Sequence, residues 1–143
     1  MPSISAFMTD KHKACDAEFA NAEDSALSGN WNEAGIAFDA FYNDMTQHFR
    51  MEEKQLFPAL LASGGPGGPV QVMLMEHEQM NDLLRQMKAA VGNNDAQRYG
   101  GLSETLLIVM QQHNLKEEQI LYPIADRILA DESQAILERM LES

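Results

Sequence analysis

Apolar side chains recur at steps of three and four along four long stretches of this chain. In the first, Ile4, Met8, His12, Cys15, Phe19, Ala22 and Ala26 form one stripe, which Ser28-Gly29-Asn30 closes. The second begins near Trp31 and carries Phe38, Phe41, Met45, His48, Glu52 and Leu56 up to Pro58. The third runs through Val70, Met73, His77, Met80, Leu84, Met87 and Val91 to Gly92-Asn93-Asn94, and the fourth through Tyr99, Leu102, Leu106, Val109, Met110, His113, Glu117, Ile120 and Ile124. Between the pairs lies Ser63-Gly64-Gly65-Pro66-Gly67-Gly68-Pro69, a linker whose last proline suits the first turn of a new helix. Pro58 and Pro123 are each expected to kink or stop a helix, since proline lacks an N–H and its ring meets the preceding turn. A fifth amphipathic piece, about 131–141, offers Ile136, Leu137 and Met140 to cover an open end of the bundle or to make a homodimer contact. The pattern predicts an all-α, up-down-up-down four-helix bundle in one domain: repeat one about 4–62, linker 63–69, repeat two about 70–125, and a short C-terminal helix.

The polar residues on these stripes are unusual. The chain has four histidines, and the intervals His12 to His48 (48 − 12 = 36) and His77 to His113 (113 − 77 = 36) are equal. A shift of 65 residues superposes His12 on His77, His48 on His113 and Glu52 on Glu117, and also pairs Met8 with Met73, Glu53 with Glu118, Leu56 with Leu121 and Pro58 with Pro123. The chain is an internal repeat whose shared positions are largely metal-ligand types.

Composition narrows the setting. Methionine is frequent, with ten residues, and β-branched runs are scarce, which favours helices. Ten basic against 22 acidic residues give a formal charge of −12, a field that repels phosphate backbones and anionic lipid, so neither nucleic acid nor membrane is an expected partner. Cys15 is the single cysteine and can form no disulfide within the chain. Met1 to Asp10 lacks a basic start followed by an apolar run, and no stretch approaches the roughly 20 apolar residues of a membrane span. The default expectation is a cytoplasmic protein.

Residues four apart on a helix differ by about 40° around its axis, so His48 and Glu52 face one way, as do His113 and Glu117. Both pairs lie on inward stripes, where a carboxylate or imidazole is costly to bury without a partner. A cation held between the helices is such a partner for all six groups. Glu53 and Glu118, turned by a further 100° or so, face solvent or support the site from its edge. Mixed imidazole and carboxylate ligands suit iron or manganese better than calcium or structural zinc. Four histidines and two carboxylates exceed one tetrahedral ion; they suit two ions bridged by Glu52 and Glu117, each also holding two histidines, with positions left for a bridging oxygen species and a small exogenous ligand.

The segments His48 to Pro58 (HFRMEEKQLFP) and His113 to Pro123 (HNLKEEQILYP), with a lone histidine near the start of each half, resemble the hemerythrin-like HHE cation-binding domain. The resemblance spans roughly His12 to Pro123. It implies a four-helix bundle around a non-haem di-iron centre, oxo- or hydroxo-bridged as well as carboxylate-bridged, in which manganese or zinc can substitute. It further implies His12, His48, His77 and His113 as histidine ligands and Glu52 and Glu117 as bridging carboxylates. Two departures stand out. Oxygen-carrying members have a fifth histidine where this chain has Met73, and their second bridging residue is an aspartate five residues after its histidine, where this chain has glutamates at both the fourth and fifth places, Glu117 and Glu118. The ligand set is similar to that of the di-iron domain of proteins that repair nitrosatively damaged iron-sulfur clusters, although their amino-terminal cysteine-containing domain has no counterpart here.

The expected function is therefore a di-iron protein that binds or reacts with O2, NO or H2O2, in stress defence or iron-centre repair, with an unspecified electron donor. If it is an enzyme, it is an oxidase, peroxidase or NO-reducing oxidoreductase. A non-enzymatic iron or oxygen sensor or carrier, working through a protein partner, is the alternative. A bis-histidine haem bundle leaves Glu52 and Glu117 buried without purpose, and ferritin-like iron oxidation requires Glu-x-x-His, absent here. The remaining candidates take plainer readings. Met80 and Met87 fill core, Met8 and Met73 wall the pocket, and Cys15 is a small buried residue. Asp16 and Asn81, four residues after His12 and His77, are placed either to accept hydrogen bonds from ligand imidazoles or to face solvent. Tyr122 and Phe57 are read as packing residues, with the tyrosine also able to donate a proton or an electron.

Overall fold

The computed structural model describes residues 2–143. Among these, helix is the only regular structure: α1 (Ile4–Leu27), α2 (Trp31–Met51), α3 (Phe57–Ala62), α4 (Gly67–Gly92), α5 (Ala96–Lys116), α6 (Tyr122–Ile128) and α7 (Ser133–Leu141). The Ser3 hydroxyl caps α1 by accepting from the Ala6 N–H, and the Asp95 carboxylate caps α5 by accepting from the Arg98 N–H. Gly29, at φ 75°, turns the chain out of α1, and Asn94, at φ 53°, does so after α4. Helix α1 packs on α2 and α5, and α4 packs on α5 and α2, which closes a four-helix bundle.

His12 and His77 lie early in α1 and α4, while His48 and His113 lie late in α2 and α5. Alternating helix direction brings all four to one level. That level separates two apolar clusters. One is aromatic, with Phe19, Phe38, Phe41 and Tyr99 meeting edge to face, such as Phe38 against Tyr99 at 6.1 Å. The other joins Ile4, Met8, Met51, Leu56, Met73, Leu121 and Tyr122 to Ile136, Leu137 and Met140 of α7. Helix α7 thus spends its apolar face closing the end of its own bundle.

The stop that the prolines allow does not occur. Neither helix stops; each passes through a π-helical turn, Glu52–Leu56 after α2 and Glu117–Leu121 after α5. In each turn the hydrogen bond widens by one residue, so that the Phe57 N–H donates to the Glu52 carbonyl and the Tyr122 N–H to that of Glu117. Pro58 and Pro123 follow at once, where a tight α-turn would leave a carbonyl unpaired against the ring. Both turns obey the 65-residue shift, since 117 − 52 = 65 and 121 − 56 = 65, and each begins at the glutamate that closes a His-x-x-x-Glu pair. Helix α4 begins at Gly67 and so takes in Pro69, which lies in its first turn as expected.

Candidate metal centre

All six predicted ligands converge, and all are buried; Glu52 and Glu117 have no exposed surface. Glu52, His77, His113 and Glu117 bring one ligand atom each within 4.8 Å of one another, and His12, His48 and Glu117 do the same. The pairing crosses the repeats. His12 Nε2 lies 3.1 Å from Glu117 Oε1, and His77 Nε2 lies 3.0 Å from Glu52 Oε1. Within the repeats, His48 Nε2 is 3.6 Å from Glu52 Oε1 and His113 Nε2 is 3.3 Å from Glu117 Oε1.

Carboxylates hold the histidines from behind. His12 Nδ1 is 2.6 Å from Glu118 Oε2, and His77 Nδ1 is 2.7 Å from Glu53 Oε2. The second glutamate of each Glu-Glu pair therefore supports the site from its edge. An Nδ1–H donated to a carboxylate leaves the Nε2 lone pair free toward the centre, the state a metal ligand needs. His113 Nδ1 is held by Glu76 at 2.9 Å, and Glu76 also pairs with Lys116. Asp16 and Asn81 make none of these hydrogen bonds; Glu118, Glu53 and Glu76 do. Glu76 went unrecognised in the sequence because it breaks the repeat: 76 − 65 = 11, and position 11 is Lys.

Aromatic rings wall the centre. Phe49 stacks on His77 at 4.1 Å, and Phe57 lies 6.0 Å from the same ring. Tyr122 is more than a packing residue. Its hydroxyl has no solvent exposure and lies 2.7 Å from Glu52 Oε2, 2.9 Å from Glu117 Oε1, 3.2 Å from His12 Nε2 and 3.4 Å from His48 Nε2. Burial and the Glu117 and Glu52 charges push this phenol well above its ordinary range. Cys15 is buried and pushed up to about 12, first by burial and then by nearby acids, so its thiol is the inert apolar group expected.

The centre favours positive charge. Burial works against a charged imidazole, yet contacts to Glu117 raise His12, contacts to Glu52 raise His77, and Glu117 with Glu52 and Glu76 push His113 up to about 9. Burial likewise works against a charged Glu52, but His48, Glu117 and His77 hold it well below the usual carboxylate range. His113 Nε2 and Glu117 Oε2 are buried with no hydrogen-bond partner. Such orphaned polar atoms are costly unless something else satisfies them, and these two belong to one cluster of potential metal-binding atoms. The arrangement fits a bound cation.

The family model of the hemerythrin HHE cation-binding domain matches residues 3–125. The chain belongs to the hemerythrin HHE family. Neither a curated protein nor a solved structure matches it. The family match spans every histidine and both π turns and ends within α6, before α7. Among the described residues no helix is long and apolar enough to cross a membrane.

Proposed function

We propose that this hemerythrin HHE protein holds two non-haem iron ions and uses them to bind or react with a small ligand of the O2, NO or H2O2 class, in oxidative or nitrosative stress defence or in iron-centre repair. The observation that carries the reading is the crossed symmetry of the cluster. His12, His48 and Glu117 form one group and His77, His113, Glu52 and Glu117 the other, which suits one ion in each group with Glu117 shared; Glu52, 3.6 Å from His48 Nε2, is the proposed second bridge. Bound there, the pair supplies reversible one-electron chemistry and open positions for an exogenous ligand.

The chain's own groups do the rest. Glu118, Glu53 and Glu76 keep three imidazoles in the ligating tautomer. Phe49, Phe57, Met8 and Met73 exclude bulk water. A cavity of about 60 Å³, lined by Lys11, Cys15, Asp44, Gln47, His48 and Met51, reaches the edge of His48. That volume takes a few water-sized molecules and nothing much larger. A diatomic or peroxide fits such a space.

The test is metal content per chain on protein reconstituted anaerobically with ferrous iron, with optical spectra before and after addition of NO. About two irons and an NO-dependent spectral change are expected. Absence of bound iron would end the reading.

A further inference from the structure

We propose that Tyr122 is a metal ligand, its phenolate oxygen completing the position bounded by His12 and His48; the proposal rests on the di-iron reading above. Nitrogen and oxygen donors sit about 2.0–2.2 Å from a transition-metal ion, so neighbouring donors in one coordination shell lie about 2.8–3.6 Å apart when their bonds subtend 90–110°. The Tyr122 hydroxyl stands 2.7–3.4 Å from four donor atoms at once: Glu52 Oε2, Glu117 Oε1, His12 Nε2 and His48 Nε2. That is the spacing of a fellow ligand. An atom occupying the metal's own place would be about 1 Å closer to each of them.

The internal repeat supplies an independent argument. Phe57 is the counterpart of Tyr122, and the two rings take matching places, Phe57 6.0 Å from His77 and Tyr122 5.6 Å from His12. Packing alone is met by phenylalanine. The hydroxyl is the added chemistry, and burying it completely is costly without a partner of matching strength. One hydroxyl hydrogen satisfies one carboxylate at a time, whereas an ion bonded to the phenolate satisfies both carboxylates and both imidazoles. On coordination the O–H bond breaks, the O–metal bond forms and the proton leaves to solvent; no electron is transferred. The result is an unsymmetrical pair, with phenolate at the His12–His48 ion and none at the His77–His113 ion.

The test uses the full chain, loaded anaerobically with ferrous iron and oxidised in air, with iron counted on every sample. Ferric phenolate gives a visible charge-transfer band, and resonance Raman excited in that band shows phenolate ring modes that shift when the protein carries ring-deuterated tyrosine. We expect both in the unmodified sequence, and their loss in Tyr122→Phe, with about ten-fold weaker binding of one of the two ions. Tyr42 and Tyr99 belong to the other cluster and do not reach the site, so a tyrosine signal reports Tyr122. Two irons with no tyrosine-derived band would overturn this proposal and leave the di-iron reading standing. No iron at all would overturn both. If Tyr122→Phe does not fold, the isotope shift in the unmodified sequence decides alone.

Discussion

In the second repeat the outer nitrogen of His113 is gripped by Glu76, itself tied to Lys116; in the first repeat the same nitrogen of His48 has no partner at all. The positions equivalent to Glu76 and Lys116 are Lys11 and Met51 (76 − 65 = 11; 116 − 65 = 51), and both line the small cavity beside His48. Two aromatic positions also differ: Phe57 is exchanged for Tyr122, and Phe49, stacked on His77, for Asn114 (49 + 65 = 114). The two halves share candidate ligands, π turns and carboxylate supports, and differ in what surrounds the histidines. One half-site is held rigidly by charged partners. Its twin borders a small cavity beside His48.

Breaking what the halves share has the largest expected effect. Glu117 belongs to both ligand groups, so Glu117→Ala is expected to abolish binding of both ions, seen as near-zero iron by mass spectrometry. At 100-fold excess over Kd each bound ion stabilises by about 2.7 kcal/mol, so loss of both lowers Tm by about 11–22 °C for a chain of this size. Full iron retention would remove Glu117 from the ligand set. Next in size is His48→Ala, expected to leave about one ion per chain, because His77, His113, Glu52 and Glu117 remain grouped without it.

Smaller effects sharpen the contrast. Glu76→Ala frees His113 Nδ1 and is expected to weaken metal binding about 10-fold or more, read by competition with a chelator. Lys11→Glu installs in the first repeat the carboxylate that the second possesses, and is expected to tighten binding at His48. Equal affinities for Lys11→Glu and the unmodified sequence would show that the missing acceptor is immaterial.

The mildest prediction concerns pH. Glu18, partly buried beside Asp44, is pushed up from 4.5 to about 7, first by burial and then by Asp44. Between those values the folded protein keeps a proton that the unfolded chain releases. Stability contributed by this pair is therefore present below pH 4.5 and is lost as pH rises through about 7. Asp44→Asn is expected to flatten that slope in Tm measured from pH 4.5 to 7.5. The second repeat has Leu83 and Val109 at the equivalent places and carries no such pair.

The helices and the six convergent residues were legible because both follow periodicities: three and four for the buried stripe, 65 for the repeat. Glu53 and Glu118, one step around the helix from a core glutamate, were legible as facing solvent or supporting the site's edge, and their contacts to His77 and His12 select the second. The rest departs from the repeat. Glu76 is visible only once α4 and α5 are packed, since its partner lies 37 residues away on another helix. The Tyr122 hydroxyl reads as ring packing until the π turn that precedes it is known to aim it at the carboxylates. The prolines signalled a disruption but not its form, because a stop, a kink and a π turn all relieve the same clash.

The most direct test of the central claim is anomalous diffraction at the iron edge from crystals of the reconstituted protein. Two peaks, one beside His12 and His48 and one beside His77 and His113, with Glu52 and Glu117 between them, is the predicted result. A single peak, or none within the histidine cluster, would contradict the two-ion account.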